Sequence, residues 1–246
     1  MIETAVEIET PDGVADGLIL TPETGSGPGV VHLTDIWGIR DSQREMAGRL
    51  VARGYVVLIP NVFYRTSRPP VFGAAASQDN DQRMKRFQEL IAPLTPDAME
   101  RDMAAYIDFF TAQRSVRKGR IGLVGYCFSG KLAMHGAAVR PDVVGAVASF
   151  HGGGLANDTP ASPHLLLPRI KAALYFGHAS DDRSMPAPAI DTLDAALTAW
   201  GGDFESETYA GARHGWTVPD HAGAYDQAQA ERAFTKLVAL FDRTLR

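Results

Sequence analysis

Apolar residues recur in two periods along this chain, and the switching between those periods sets out its elements. Residues 2–9 alternate Ile2, Val6 and Ile8 with acids and threonines, and Thr10-Pro11-Asp12-Gly13 is a turn signal before a second run over 14–20. That pair predicts an edge hairpin. Short continuous apolar runs follow at 30–33, 55–59, 121–124, 143–150 and 170–176, and 204–209 alternates as a further strand. Runs of this kind suit strands buried on both faces.

Between them the period lengthens to that of a helix. Met46, Leu50 and Val51 predict a helix over 41–53, with Asp41 as N-cap and Gly54 as its stop. Met84, Phe87, Leu90 and Ile91 predict another from about Asp79 to Pro93. Thr95-Pro96 has the form of an N-cap followed by an N1 proline, with Met99, Met103, Tyr106, Ile107 and Phe110 along one stripe. Further helices are expected over 131–139, 186–200 and 224–245. The stretch 61–78 keeps no period, and a stretch that long without regular structure points to function. Strands and helices in alternation predict an α/β fold: one domain over 1–246, with a mostly parallel sheet of about 7–8 strands and helices on both faces.

Composition narrows the classes. The 246 residues are 45% hydrophobic and 22% charged, enough apolar material for one sizeable core. Lys and Arg number 24 against 29 acids, a net charge of -5, which leaves no basic footprint for nucleic acid or an anionic membrane surface. The opening MIETAVEIET carries acids where a secretory signal would be basic, and no apolar run approaches a membrane span. A cytoplasmic protein is expected, a monomer by fold analogy with a dimer as the alternative.

The candidate chemistry centres on GRIGLVGYCFSG, residues 119–130. An apolar strand runs into Gly125-Tyr126-Cys127-Phe128-Ser129-Gly130 and then into a helix, with small residues two positions either side of Cys127. That spacing suits a nucleophile elbow, where a sharp turn exposes the central side chain. Cys127 is the sole cysteine, so no disulfide or multi-cysteine metal site competes for it. The bland alternative is a buried thiol acting as a small hydrophobe, which would leave a non-catalytic or redox-sensing protein.

In parallel sheets functional groups gather where strands end. Asp35, Cys127, His151, Asp181/Asp182 and His214 all fall at such ends. Nucleophile, acid, then histidine is also the chain order of α/β-hydrolases. His214, in Gly211-Ala212-Arg213-His214-Gly215-Trp216, is the candidate base, and Asp182 is preferred to Asp181 as the acid orienting it. The N–H groups of Phe128 and Ile36 are the expected oxyanion donors. His151 is a candidate pocket residue, whereas His32, His135, His164, His178 and His221 read as structural or solvated. No spacing of histidines and acids suggests a metal, and no cofactor is expected. A glutamine amidotransferase would carry a glutamate two residues after the histidine, where this chain has Trp216.

Taken in order, Asp35-Ile36-Trp37-Gly38, Gly-Tyr-Cys-Phe-Ser-Gly, the segment from Asp182 to Pro186 and His214-Gly-Trp resemble the dienelactone hydrolase family over essentially the whole chain. The resemblance implies an α/β-hydrolase fold and cleavage of a small-molecule lactone or ester, carboxymethylenebutenolidase-like. Cys127 would be nucleophile, His214 base and Asp182 its orienting acid. The family's loop after the third strand commonly carries a glutamate that shares the thiol proton; Asp35 holds that place here. Trp37, Tyr126, Arg65, Arg68 and His151 are the residues expected around the substrate. The family's arginine after the histidine has no counterpart in Thr217-Val218-Pro219, so Arg65, Arg68 or Arg213 would have to bind a substrate carboxylate.

Overall fold

The computed structural model describes residues 1–77 and 79–246. Its centre is an eight-stranded sheet in the order β1-β2-β4-β3-β5-β6-β7-β8. Ile2–Thr10 (β1) and Gly13–Thr21 (β2) form the expected antiparallel hairpin, and β2 runs antiparallel to Val56–Pro60 (β4). From β4 onward every pairing is parallel: Gly29–Leu33 (β3), Ile121–Tyr126 (β5), Val144–Phe150 (β6), Ala173–Asp181 (β7) and Phe204–Arg213 (β8).

Two apolar cores lie on opposite faces of this sheet, because neighbouring strand residues point to opposite sides. Val31 and Leu33 join one core and Val30 the other. Asp41–Val51 (α1) and Gln227–Leu245 (α6) cover one face with Leu50, Leu237 and Phe241. Pro96–Thr111 (α3), Ser129–Val139 (α4) and Ala187–Trp200 (α5) cover the other with Met103, Leu132 and Leu193. Asn80–Ile91 (α2) buries only Leu90 and lies at the rim. Among the described residues no helix is long and apolar enough to cross a membrane.

Thr95 caps α3 through its hydroxyl, with Pro96 in the first turn, and Asp79 caps α2. Asp41, expected as a cap, is instead the first residue of α1. Arg40 stands at the cap position, and its side chain is occupied elsewhere. The strand expected over 170–176 begins three residues later, because Ile170 closes a 3-10 helix, Pro163–Arg169. It also runs on to Asp181, matched by an extension of β8 to Arg213. The stretch 61–78 is turns with a short 3-10 helix, Gly73–Ser77, and Gln78 lies outside the described residues.

The register of the parallel strands decides what meets at their ends. Leu33 pairs with Gly125, Tyr126 with Phe150, and Asp181 with Arg213. The next residues along each chain are therefore neighbours: Thr34 and Asp35 beside the 125–130 turn, Cys127 beside His151, and Asp182 beside His214. Gly125 is essential to that turn, since a Cβ there would sit 2.4 Å from the Ser129 carbonyl oxygen. Replacing Gly125 with Ala should cost about 1–3 kcal/mol, the usual range for overpacking. A urea unfolding midpoint close to that of the native protein would contradict this account of the turn.

Candidate active site

Cys127 follows β5 directly and has a left-handed backbone, φ 59°, which a residue with a Cβ seldom adopts. Several bonds hold it there. Its N–H is shared between the Phe150 carbonyl and His151 Nδ1, each at 3.1 Å. Its carbonyl accepts from the Gly130 and Gly153 amides. Ser129 reinforces the turn: its hydroxyl oxygen accepts the Tyr126 N–H at 2.8 Å and lies 2.9 Å from the Leu33 carbonyl at the end of β3. Gly130 is required by the close approach of Ser149, whose Oγ would be 2.2 Å from a Cβ.

His151 is itself left-handed, φ 41°, and fully buried. Because Nδ1 accepts the Cys127 N–H, the ring proton resides on Nε2 and is donated to Thr217 Oγ1 at 2.8 Å. Burial, and then the neighbouring imidazoles of His214 and His221, push its pKa well below the ordinary value, so the ring stays neutral. His151 thus ties the cysteine turn to the segment after His214.

Asp182 and His214 form the second half of the site. His214 Nδ1 lies 2.6 Å from Asp182 Oδ2, and Ser184 gives both its N–H and its hydroxyl to Asp182 Oδ1 at 2.8 and 2.6 Å. Burial alone would raise the Asp182 carboxyl, but the His214 hydrogen bond and charge, with the Ser184 donors, outweigh it and hold its pKa below the ordinary value. For His214 burial works against the proton. Hydrogen bonds and charge at Asp182 and Cys127 reverse that, and the pKa is pushed up to about 10. Asp181, the rival acid, is exposed and faces Arg213 at 3.8 Å.

The cavity at Cys127, about 50 Å³, is lined by Asp35, Ile36, Trp37, His151, His214, Gly215 and His221 besides the cysteine. Trp37 packs against Phe72 with their rings tilted by 31° and centroids 4.2 Å apart, which brings the turn at Phe72 against the cavity wall. Ile36 lines this cavity, and among the described residues no loop or turn hydrogen bond engages the Ile36 or Phe128 N–H.

Four expected residues are engaged elsewhere. Asp35 reaches the cavity, but its carboxylate accepts two hydrogen bonds from Arg40, at 2.7 and 2.8 Å, and the Trp37 N–H at 3.0 Å. No hydrogen bond joins it to Cys127 among the described residues. Tyr126 precedes Cys127 on a strand of period two, so it points to the α1/α6 core with Val124. Arg65 pairs with Asp102 and Asp12, and Arg68 with Asp16, all beside the β1–β2 hairpin or α3. Conversely, Arg40, Ser184, Thr217 and His221 belong to the site, although no sequence pattern marked them.

Among the described residues, no group of three His, Cys, Asp or Glu is arranged to hold a metal ion. The arrangement is an imidazole hydrogen-bonded to a carboxylate, with the Cys127 thiol lining the same cavity as that imidazole.

The model of the dienelactone hydrolase family matches residues 15–245. The carboxymethylenebutenolidase of Rhodococcus opacus is 29% identical over 228 residues, 91% of this chain and 84% of its own. Protein usf of Aquifex pyrophilus is 26% identical over 248 residues, 98% of each chain. A dienelactone hydrolase-like promiscuous phosphotriesterase from metagenomic libraries superposes with a TM-score of 0.80 at 21% identity, covering 100% of both chains. At that identity the likeness concerns the fold.

The elevated His214 pKa has a measurable sign. The folded protein holds this proton more tightly than an unfolded histidine, whose pKa is about 6.5. The resulting stability is fully present below that value and is lost as pH rises through about 10. In an NMR titration His214 should show no midpoint near 6.5, and Asp182→Asn should move its midpoint down. A native midpoint near 6.5 would contradict the assignment.

Proposed function

The chain belongs to the dienelactone hydrolase family, and from that premise we propose that it cleaves a carboxylic ester or lactone through a thioester on Cys127. The observation that supports this reading is the Asp182–His214 hydrogen bond with His214 and Cys127 lining one cavity at the strand ends. The name of the Rhodococcus opacus relative, carboxymethylenebutenolidase, supports a lactone carbonyl as one form of the substrate.

In this mechanism the thiol proton resides on His214, leaving a thiolate beside an imidazolium fixed by Asp182. The sulfur attacks the carbonyl carbon, and the carbonyl electrons move onto oxygen. The N–H groups of Ile36 and Phe128 stabilise that oxyanion. Collapse of the intermediate expels the alkoxide, which takes the proton from His214, and an acyl-Cys127 thioester remains. Neutral His214 then removes a proton from water, whose oxygen attacks the thioester. The second tetrahedral intermediate releases the carboxylic acid and restores the thiolate–imidazolium pair. In a lactone both products are ends of one molecule.

The neutral His151 keeps the Cys127 N–H bonded and so holds the sulfur's backbone still through both steps. Asp182 never needs to accept the proton; its role is to fix the imidazole's orientation and charge.

Cys127→Ala should reduce kcat/KM on a small lactone and on an activated short-chain ester by about 10³-fold or more, with His214→Ala similarly impaired. Retention of native rates by Cys127→Ala would overturn the mechanism.

A further inference from the structure

Next to the Cys127 cavity, with Trp37 and His221 in the walls of both, lies a second hollow of about 230 Å³ lined by Trp37, Arg40, Asp220 and His221. A substrate whose carbonyl meets Cys127 has this hollow for its remaining atoms. Arg40 is the one arginine lining either space, and its hydrogen-bonding capacity is already used. A guanidinium has five N–H donors. Here Nε bonds to Asp220 Oδ2, Nη1 to Asp35 Oδ1 and the Gly38 carbonyl, and Nη2 to Asp35 Oδ2 and Asp220 Oδ1.

Nor does Arg40 offer spare positive charge. Arg40 stands between two carboxylates, both of them acceptors of its hydrogen bonds, so the trio carries one net negative charge at neutral pH. Burial works against the Arg40 charge, but its bonds to Asp35 and Asp220 prevail and raise its pKa above the ordinary value. The Asp220 carboxyl is likewise held below its usual range: burial raises it, and the Arg40 hydrogen bond and charge outweigh that. Arg183 and Arg213 line a separate, more open hollow of about 570 Å³ on the His214 side, which shares His214 and His221 with the Cys127 cavity but not Trp37.

We propose that the hollow of Trp37, Arg40, Asp220 and His221 is the subsite for the part of the substrate away from the carbonyl, and that it takes an uncharged group and disfavours a carboxylate. This rests on the ester or lactone reading of the Cys127 site. The physical basis is simple: a carboxylate entering here finds no unpaired N–H on Arg40 and meets Asp220, whose side chain is 45% exposed toward solvent. An ester, amide or hydroxyl group incurs no such repulsion, and a hydroxyl or amide can donate to the open side of Asp220. The indole of Trp37 supplies the apolar wall.

The test uses two ligands that differ in one charge, dimethyl succinate and monomethyl succinate, as protectors of Cys127 against alkylation by iodoacetamide. Cys127 is the sole cysteine, so the extent of alkylation reads occupancy of this site alone. The neutral diester should protect at a concentration about tenfold lower than the charged monoester. Asp220→Asn, which removes one of Arg40's two carboxylates and the charge facing the hollow, should narrow that gap by about threefold or more. Better or equal protection by the monoester, protection by neither ligand, or a gap unchanged in Asp220→Asn would each overturn the subsite.

Hydrolysis is read separately in the same samples. Protection with the expected charge preference but no hydrolysis would uphold the subsite and count against the proposed reaction. Hydrolysis with the opposite preference would do the reverse.

Discussion

The Cys127 amide is the bond on which the site depends. A residue with a side chain is held in the left-handed region only because its N–H is shared between Phe150 and His151, while its carbonyl is bonded from Gly130 and Gly153. Such backbone strain costs of order 1–3 kcal/mol and persists only where surrounding structure over-determines it. Here the over-determination comes from the sheet. Pairing of Tyr126 with Phe150 makes Cys127 and His151 neighbours, and Ser129 fastens the same turn to the end of β3. The α/β-hydrolase fold therefore delivers the cysteine through strand register, not through loop flexibility.

The electrostatics follow from which histidine is wet. His151 is completely enclosed, lies near two other histidines and remains neutral, which suits an acceptor for a backbone N–H. His214 keeps 30% of its side chain open to solvent and has a carboxylate 2.6 Å away, so it holds its proton. Two imidazoles with ring centroids 5.2 Å apart thus carry different charges. Beyond them, Arg40 cross-links the Asp35 loop to Asp220 across 180 residues of sequence and is neutralised in doing so. One ion-paired arginine shapes the wall without offering positive charge to a ligand.

Much of this was legible in the chain because local signals are strong where strands are buried. The continuous apolar runs located the parallel strands, Thr95-Pro96 located a helix start, and Gly125 with Ser129 marked the turn at Cys127. Asp182 stood out from Asp181 only as a preference. The structure separates them, because the extension of β7 and β8 pairs Asp181 with Arg213 and leaves the following aspartate facing the imidazole.

What was not legible was pairing between distant charged residues. Arg65 and Arg68 look available in sequence, yet acids of the first hairpin and α3 claim both of them. Arg40 looks like an ordinary residue before a helix, and nothing local links it to Asp220. Tyr126 sits away from the cavity for a simpler reason: the side chain preceding the strand-end residue Cys127 points to the opposite face of the sheet.

The central claim is that the Cys127 sulfur carries the acyl group. Quenching the reaction with an ester or lactone in acid, then measuring the intact mass and the peptide masses, tests it directly. The account predicts a single added acyl group on the peptide that contains Cys127, accumulating before steady state and disappearing once substrate is exhausted. Turnover with the acyl group on another residue, or with the Cys127 peptide unmodified while oxygen-labelled water shows direct attack on substrate, would contradict it.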